Sequence, residues 1–412
     1  MQGMGTTSTT LPAGRRGAIE AVALSGGALM MGSYATLSLA PIAPLVRADL
    51  GLSRAGIGLL TAVVFLGAAI ASGPSGHLAD RLGAARLLML AMIGVGVSQI
   101  VASQSPFVWL FVLAIFGVGL GYGGITPPTN VIVRGAADGS NQGLIMSAKQ
   151  IGVTLGGLLA GLTLPAIADL FGWRAALLAP AAAAFVIALI VFLTRANLRR
   201  QTGPIAHPDV RSEKLVLRIW WRLGVGGFGF LMAGLQLSFV SYLAVFLTEN
   251  HGYRLGIAGI SLAVTMLGGT IGRLGWAVIS DRWFSQRRWA GLSLTAAVAA
   301  VGLLGMAVLP TGYWLWPCVA LVGFSSIGWN GVFLALVAAS VPPSHVGRVS
   351  GSALRSVFTG IVVIPPIIGL IADNGGWTLA WIVACLLTVI AGVGIALGAK
   401  GGVNPRSAEG LT

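Results

Sequence analysis

Long runs of apolar residues alternate with short polar segments along the whole chain. A membrane core about 30 Å thick is crossed by a helix of roughly 20 residues, because an α-helix rises about 1.5 Å per residue. The runs reach this length, so the pattern predicts membrane-spanning helices. We place twelve of them, over residues 18–44, 54–76, 86–104, 107–132, 142–167, 174–196, 220–248, 254–280, 288–309, 313–340, 349–372 and 377–399.

A direct internal repeat divides these helices into two groups of six. Gly143–Trp173 aligns with Gly347–Trp377 at an offset of 204 residues, and the longest polar interruption, 195–218, lies between the two groups. Two six-helix halves in parallel orientation are an arrangement in which a substrate site forms between the halves near the middle of the membrane. The predicted organisation is a tail over 1–17, a first half over 18–196, a central loop over 197–219, a second half over 220–399 and a tail over 400–412.

Composition agrees with an all-α membrane protein, since 56% of the 412 residues are hydrophobic and only 9% are charged. The net charge of +14 comes mainly from one side of the predicted bundle, where we place 18 of the 25 Lys and Arg residues. By the positive-inside rule this side is cytoplasmic and carries both termini. The basic charge therefore predicts an orientation and not a nucleic-acid partner. Arg15 and Arg16 precede an apolar run too long for a cleaved export signal, so we predict a retained first helix.

Signatures of catalysis or of metal binding are missing from the sequence. Cys318 and Cys385 lie in apolar spans outside any CxxC or Cys/His pattern, so neither a disulfide framework nor a metal site is predicted. We find no HExxH motif, no GxSxG motif and no pair of carboxylates suited to catalysis. We therefore expect a protein that is not an enzyme and that needs no cofactor.

Residues 76–86, GHLADRLGAAR, resemble the G-x-L-a-D-R-x-G-r-r loop signature of the major facilitator superfamily, which lies between the second and third helices. A degenerate copy, AVISDRWFSQRR, occupies 277–288, and FGWR opens the sixth helix. The resemblance covers essentially the whole chain and implies a transporter with the major facilitator fold. Within the superfamily, SAKQIGVTLGG (147–157) and GRLGWAVISDR (272–282) are similar to segments of bacterial organic-anion porters of the oxalate/formate or monocarboxylate type.

The resemblance also implies a gate at the cytoplasmic helix ends, which latches the two halves together in the outward-facing state. Glycines in the signature permit close packing and a tight turn, and its charges lie next to the anionic lipid surface. The alternative is that these are solvated charges that only orient the chain. The residues assigned to the gate are Gly76, Asp80, Arg81 and Gly83 in the first half and Asp281 and Arg282 in the second.

Three basic residues, Lys149, Arg273 and Arg355, fall inside predicted spans at matching depths. Each lies eight residues from a cytoplasmic helix end, or roughly 12 Å at about 1.5 Å per residue. A charge at a helix centre costs roughly 2.5 to 3.5 kcal/mol on insertion scales, so something must compensate for it. All eleven acidic residues are predicted at helix ends, in loops or in the tails. An anionic substrate is therefore the predicted counter-charge of this layer.

The organic-anion porters that the chain resembles bind their carboxylate with an arginine on the eighth helix, which implies this role for Arg273. Snorkelling to the membrane interface or bonding to backbone carbonyls is the alternative for each of the three cations. Arg355 has the further alternative of lying between the two halves. Hydroxyl, amide and ring groups would complete the site. From them we select Tyr122 on the fourth helix and Asn330 on the tenth.

The predicted function is transport of a small organic anion, a mono- or dicarboxylate, by rocker-switch alternating access in a bacterial cytoplasmic membrane. We expect the protein to work as a monomer. Predicted spans hold no histidine, and the fourth helix lacks the arginine that proton-driven relatives use. Anion exchange, facilitated diffusion and symport of a proton that travels with the substrate all stay open. The runner-up is an exporter of drugs or other hydrophobic compounds, which the twelve tryptophans would fit.

Overall fold

The structure is a computed structural model that describes residues 13–136, 142–201, 222–310, 312–341 and 346–400. Most of the two predicted tails and most of the predicted central loop lie outside these ranges. The described residues are almost entirely helical. Eleven continuous helical stretches among them are long and apolar enough to cross a membrane. The last stretch, Val349–Gly398, has 50 residues, which is more than twice the length that one crossing needs.

This last stretch contains two helices. Its backbone leaves the helical region at Gly376, where φ is 77° and ψ is 175°. A positive φ is easily adopted by glycine, which has no Cβ, and the helix reverses there. The described residues therefore form twelve membrane-spanning helices, as the apolar pattern predicts.

The twelve helices are numbered in chain order. The first six are α1 (Ala13–Thr36 and Leu39–Leu50), α2 (Arg54–Leu82), α3 (Ala84–Gln104), α4 (Val108–Gly123 and Thr126–Ala136), α5 (Gln142–Phe171) and α6 (Trp173–Ala176 and Leu178–Gln201). The next four are α7 (Gly227–His251, after a π turn at Arg222–Gly226), α8 (Leu255–Trp283), α9 (Arg288–Val308) and α10 (Leu315–Ser326 and Asn330–Ala339). Helices α11 and α12 are the two arms of Val346–Lys400 on either side of Gly376.

Helix contacts repeat between the first six helices and the last six. In the first group α1 packs on α5, α2 on α4 and α3 on α6; in the second, α7 packs on α11, α8 on α10 and α9 on α12. The two groups meet mainly through α2 with α11 and α5 with α8, a pair of contacts that the same symmetry relates. The fold is thus two pseudo-symmetric six-helix halves, as the internal repeat predicts.

Glycine permits the closest of these contacts. Gly119 on α4 lies against the carbonyl of Val64 on α2, and Gly272 on α8 lies against the carbonyl of Phe324 on α10. A Cβ at either position would overlap that carbonyl oxygen. Small residues let membrane helices approach until their backbones are in contact. The resulting van der Waals packing stabilises the bundle, because in lipid there is no hydrophobic driving force between helices.

The helix α2 is longer than the apolar pattern predicts. It continues past residue 76 to Leu82, so that Asp80 and Arg81 belong to its last turn. Gly83, with a φ of 85°, makes the joint to α3. We call the end of the bundle with this α2–α3 joint the termini end, because α1 begins and α12 ends there. The far end carries the α1–α2, α5–α6, α7–α8 and α11–α12 connections.

Candidate functional site

A cavity of about 170 Å³ lies between the two halves. Its described walls come from α1, α2, α4 and α5 of the first half and from α7, α8, α10 and α11 of the second. Much of the surface is apolar, with Phe65, Leu237 and Met266 among the contributors. The polar side chains that line the cavity are Ser33, Thr36, Tyr122, Thr154, Gln236, Arg273 and Asn330.

Three of the lining helices are interrupted beside the cavity. Helix α1 breaks at Leu37 and Ser38, α4 at Gly124 and Ile125, and α10 over residues 327–329. The restarts of α1 and α4 contain prolines in their first turns, where the missing N–H is not needed for a helical hydrogen bond. Non-helical backbone is tolerated at membrane depth when it borders protein or a cavity. The three helices can therefore be interrupted within the membrane, because each interruption lies beside the cavity between the halves.

Arg273 brings the cationic charge to this cavity. Its Nη1 donates to the carbonyl oxygen of Gln150 on α5 at 2.9 Å, and its buried Nε has no hydrogen-bond acceptor among the described residues. One turn away on α8, the Oγ1 of Thr270 donates to the Oγ1 of Thr154 at 2.7 Å. Arg273 therefore lines the cavity and also joins the two halves along α5 and α8.

Tyr122 and Asn330, which are predicted from the sequence as site residues, also line the cavity. The Tyr122 hydroxyl lies 3.3 Å from that of Ser33, beside the break in α1. Asn330 begins the second segment of α10. Next to it, Trp329 Nε1 donates to Gln236 Oε1 on α7 at 3.1 Å. The cavity thus collects Arg273, Tyr122 and Asn330 from three different helices.

Lys149 is not among the described residues that line the cavity. Its side chain is 1% exposed, and its Nζ donates to Thr129 Oγ1 at 3.3 Å and to Asn130 Oδ1, both on α4. Val153, one helical turn further along α5, does line the cavity. Lys149 therefore joins α5 to α4 about one turn from the cavity wall, at a position where its charge is fully buried.

Arg355 and the predicted gate residues lie elsewhere. Arg355 is exposed on α11 and is not among the described lining residues. Asp80, Arg81 and Arg282 are also exposed. At the termini end of the second half, Arg288 Nη2 lies 3.3 Å from Asp281 Oδ1, so this ion pair remains within one half.

At the far end, ion pairs connect the two halves. Glu249, at the end of α7, pairs with Arg47 of α1 and accepts a hydrogen bond from Arg54 Nε at 2.9 Å. The Nη2 of Arg54 lies 2.9 Å from the same carboxylate oxygen. The Nε1 of Trp377 donates to the same carboxylate at 3.2 Å. The guanidinium of Arg54 also lies 5.0 Å from the Trp377 ring centroid, within the range of a cation–π contact. A single carboxylate of the second half thus holds two arginines of the first.

A second carboxylate closes the same end through the backbone. Asp373 Oδ1 and Oδ2 accept from the backbone N–H groups of Arg54 and Ala55 at 2.9 Å each. These N–H groups begin α2, so they have no partner within the helix and attract negative charge. The Tyr242 hydroxyl donates to the carbonyl of Pro365 at 2.7 Å on the same α2–α11 face. The residues Arg47, Arg54, Glu249, Asp373 and Trp377 are called the far-end latch below.

From the sequence, Glu249 and Asp373 are predicted only as acids at helix ends. The repeat gives a partial signal, because Asp373 and Trp377 match Asp169 and Trp173 of the first half. The two tryptophans make equivalent bonds, since Trp173 Nε1 donates to Asp49 within the first half and Trp377 Nε1 donates to Glu249 within the second, at 3.2 Å each. The repeat does not indicate the contacts of Glu249 and Asp373 with the first half, which depend on how the halves meet.

Comparison with known proteins gives a family and several relatives. A family model described as Major Facilitator Superfamily matches residues 22–359. A gentisate transporter of Corynebacterium glutamicum is 25% identical over 384 residues, which is 87% of this chain and 82% of that protein. A hexuronate transporter of Bacillus subtilis is 23% identical over 87% of this chain and 89% of that protein.

A multidrug resistance protein of Klebsiella pneumoniae is similar over a shorter segment, with 31% identity over 160 residues, or 39% of this chain and 38% of that protein. Among solved structures, a bacterial homologue of the human lysosomal transporter Spinster, in an inward-facing and occupied conformation, superposes with a TM-score of 0.77. It is 19% identical, and the match covers 96% of this chain and all of that one. At this identity the likeness establishes the fold alone.

Proposed function

This chain belongs to the Major Facilitator Superfamily of membrane transporters, and on that basis we propose that it carries a small organic anion by alternating access. It is a transporter and not an enzyme. The observation that carries the proposal is the position of Arg273, whose guanidinium lines the cavity between the halves. Arg273 is the one residue among Asp, Glu, Lys and Arg in the described lining. In this proposal the substrate carboxylate binds Arg273, while Tyr122 and Asn330 orient it.

The chemistry of the cavity favours a carboxylate over a cationic drug. A guanidinium matches a carboxylate with two parallel N–H donors, and its partly unsatisfied state here leaves donors for an incoming anion. The described lining contains no acidic group that would neutralise a cation. The cavity of about 170 Å³ is also smaller than the about 300 to 1,000 Å³ of pockets that take drug-sized ligands.

The names of two relatives support the same class of substrate. Gentisate and hexuronate, which give the Corynebacterium and Bacillus relatives their names, are both organic acids that are anionic at neutral pH. Each of these relatives matches most of this chain, whereas the multidrug resistance protein matches 39% of it. Support for the drug exporter is therefore confined to part of the sequence.

Alternating access has a physical basis in the far-end latch. Its two carboxylates join α7 and α11 to the start of α2 and to α1, and so hold the halves together on that side. We propose that transport requires these contacts to break while the predicted gate of Asp80, Arg81, Asp281 and Arg282, with Gly76 and Gly83, forms at the termini end. The two sets would then exclude each other, which is the requirement of a rocker switch.

The remaining assignments follow from charge. We propose that Lys149 adds positive potential near the cavity from its buried position on α5. The described lining has no Asp, Glu or His to bind a proton, so a co-transported proton would enter on the substrate itself. We propose that the protein works as a monomer in a bacterial cytoplasmic membrane. The termini end would lie in the cytoplasm, because most of the basic residues lie on that side.

Ligand-induced stabilisation of the purified full chain tests the proposal. A ligand present at about 100 times its Kd stabilises the native state by about 2.7 kcal/mol, so a thermal unfolding curve detects it. We expect carboxylates such as benzoate to raise the unfolding temperature and lipophilic cations such as tetraphenylphosphonium to have no effect. Arg273→Ala should abolish the shift, and Arg273→Lys should reduce it, because an ammonium cannot bind both carboxylate oxygens in a fork.

Two further arginines complete this experiment. Arg254 is exposed at the start of α8, on the same helix as Arg273, and Arg254→Ala is the matched control in which the shift persists. Arg355→Ala tests whether Arg355 binds the substrate: loss of the shift assigns it to the substrate, and retention excludes it from the binding site. Stabilisation by lipophilic cations with no response to carboxylates would replace the proposal with the drug exporter.

A further inference from the structure

The carboxamide of Gln236 is held in one orientation on the wall of the cavity. The indole N–H of Trp329 can only donate a hydrogen bond, so its partner at 3.1 Å must be the amide oxygen of Gln236. The amide NH₂ group is then left with two N–H donors. Among the described residues, no hydrogen bond from this group to a protein acceptor is present.

Trp329 is itself fixed by its surroundings. It is fully buried, and its ring makes edge contacts with Phe228 and Phe333 at centroid distances of 5.6 and 5.2 Å. An indole packed on two sides cannot turn its N–H elsewhere without opening this aromatic cluster. The orientation of Gln236 is therefore built into the second half and does not depend on a ligand.

The charge of the cavity limits which substrate groups can accept a hydrogen bond from the Gln236 amide. Arg273 supplies one positive charge, and the described lining contains no other residue that is ionised at neutral pH. One carboxylate neutralises that charge. A second carboxylate in the same cavity would have no second cation among the described lining residues to pair with, which is unfavourable in a low-dielectric site. The donors of Gln236 are thus suited to an oxygen atom without charge, such as a hydroxyl or a carbonyl.

Building on the proposed function, we propose that the substrate is a monocarboxylate that carries an uncharged oxygen substituent, with Gln236 as the residue that selects this substituent. Trp329 is a positioning residue, because it acts by orienting Gln236. A site built to hydrogen-bond a polar group discriminates strongly against an analogue that lacks the group, since its own donors would stay unpaired. The apolar walls at Phe65, Leu237 and Met266 face the body of the molecule between its two polar ends.

The test uses matched ligands on one ring and the purified full chain. Binding is measured by isothermal titration for benzoate, for 3- and 4-hydroxybenzoate, and for isophthalate and terephthalate, which carry a second carboxylate at the same two positions. We expect at least one hydroxybenzoate to bind about ten-fold tighter than benzoate and both dicarboxylates to bind more weakly than benzoate. If no hydroxybenzoate exceeds benzoate, or if a dicarboxylate binds more tightly than benzoate, the inference is wrong.

Two variants assign the selectivity to its residues. Gln236→Met keeps the length of the side chain and removes its donors, so the affinity ratio of hydroxybenzoate to benzoate should fall to about one. Trp329→Phe keeps an aromatic ring and removes the N–H, so the ratio should fall by several-fold. A change in stability alone would weaken all ligands together and leave the ratio unchanged, and an unchanged ratio in Gln236→Met overturns the assignment. The wild-type ligand series decides the substrate class even if a variant does not fold.

Failure of the inference is distinguishable from failure of the proposed function. If benzoate binds and loses affinity in Arg273→Ala, while hydroxyl substituents bring no advantage, only the selectivity of Gln236 is refuted. If none of the five acids binds and Arg273→Ala behaves as wild type, the anion-transport proposal itself fails.

Discussion

At the scale of single residues, three cations that the sequence predicts at one depth occupy three different environments. Arg273 lines the cavity, Lys149 is buried between α5 and α4, and Arg355 is exposed. Their depth is predictable from helix length, since rise per residue is constant. The direction in which each side chain points depends on how each helix is rotated against its neighbours, which no local pattern records.

Lys149 illustrates what a buried charge costs and how it is offset. Its ammonium donates to Thr129 and Asn130, so removing it takes a donor from the buried Thr129 hydroxyl and from the half-buried Asn130 amide oxygen. An unsatisfied buried polar group costs about 1 to 3 kcal/mol. We therefore expect Lys149→Met to lower the ligand-free unfolding temperature by a few degrees, as measured by thermal denaturation in detergent.

The companion measurement for Lys149→Met is carboxylate affinity. Because Lys149 is not part of the described cavity lining, its loss should weaken benzoate binding less than Arg273→Ala does. The control on the same helix is Leu155→Ala, at an exposed position of α5 outside the described cavity lining, where benzoate affinity should stay unchanged. A larger loss of affinity in Lys149→Met than in Arg273→Ala would mean that Lys149 contacts the substrate directly.

At the scale of helices, the interruptions in α1, α4 and α10 and the far-end latch act on the same cavity. The interruptions expose polar backbone and side chains at its wall, while the latch fixes α2 and α11 against each other above it. Asp373 caps α2 across the boundary between halves, so breaking the latch also uncaps a helix. We therefore expect the far-end latch and the cap of α2 to form and break together.

Removing Glu249 should open the far end. Glu249→Ala removes the carboxylate that pairs with both Arg47 and Arg54, so this pairing no longer offsets the repulsion between the two guanidinium groups. We expect a cysteine placed at Val240, which lines the cavity, to react about ten-fold faster with a membrane-impermeant maleimide added from the far-end side. The background carries Cys318→Ala and Cys385→Ala.

The matched control for Glu249→Ala is Arg174→Ala. Arg174 pairs with Asp49 at the same end, but both residues belong to the first half. Its loss removes an ion pair without separating the halves, so the labelling rate should stay at the parental value. Equal acceleration in both variants would show that the reagent enters through general loosening of the far end and not through the latch.

At the scale of the whole molecule, orientation rests on the distribution of basic residues. We place 18 of 25 Lys and Arg on the side of the termini and only four on the other. Because positive loops are retained in the cytoplasm, the far-end latch should face away from it. Green fluorescent protein fused to the C-terminus should fluoresce, and alkaline phosphatase fused there should be inactive in whole cells.

The same reporters fused after Arg254, in the α7–α8 connection, provide the opposite control. Phosphatase should be active at this far-end site and fluorescence should be lost. An active phosphatase at the C-terminus together with fluorescence after Arg254 would invert the orientation, and the latch would then close the cytoplasmic side.

The sequence by itself determines the membrane class, the twelve helices and the two halves. Each of these depends on local quantities, namely the length of an apolar run, the charge of a loop and the similarity of two segments. Even the break at residue 376 is anticipated, because a polar gap separates the predicted spans 349–372 and 377–399. The observed helix bounds differ from the predicted ones mainly at the membrane surface. There α2 continues to Leu82, because residues 77–82 make their backbone hydrogen bonds by extending the helix.

Only the tertiary structure decides which residues meet between the halves. Glu249 is 195 residues from Arg54, and Asp373 is 318 residues from Ala55, so no spacing along the chain connects them. The same holds for Gln236 and Trp329, which are 93 residues apart and form one bond on the cavity wall. Such contacts depend on how two rigid six-helix units dock, and docking is set by the summed shape of both surfaces rather than by any one segment.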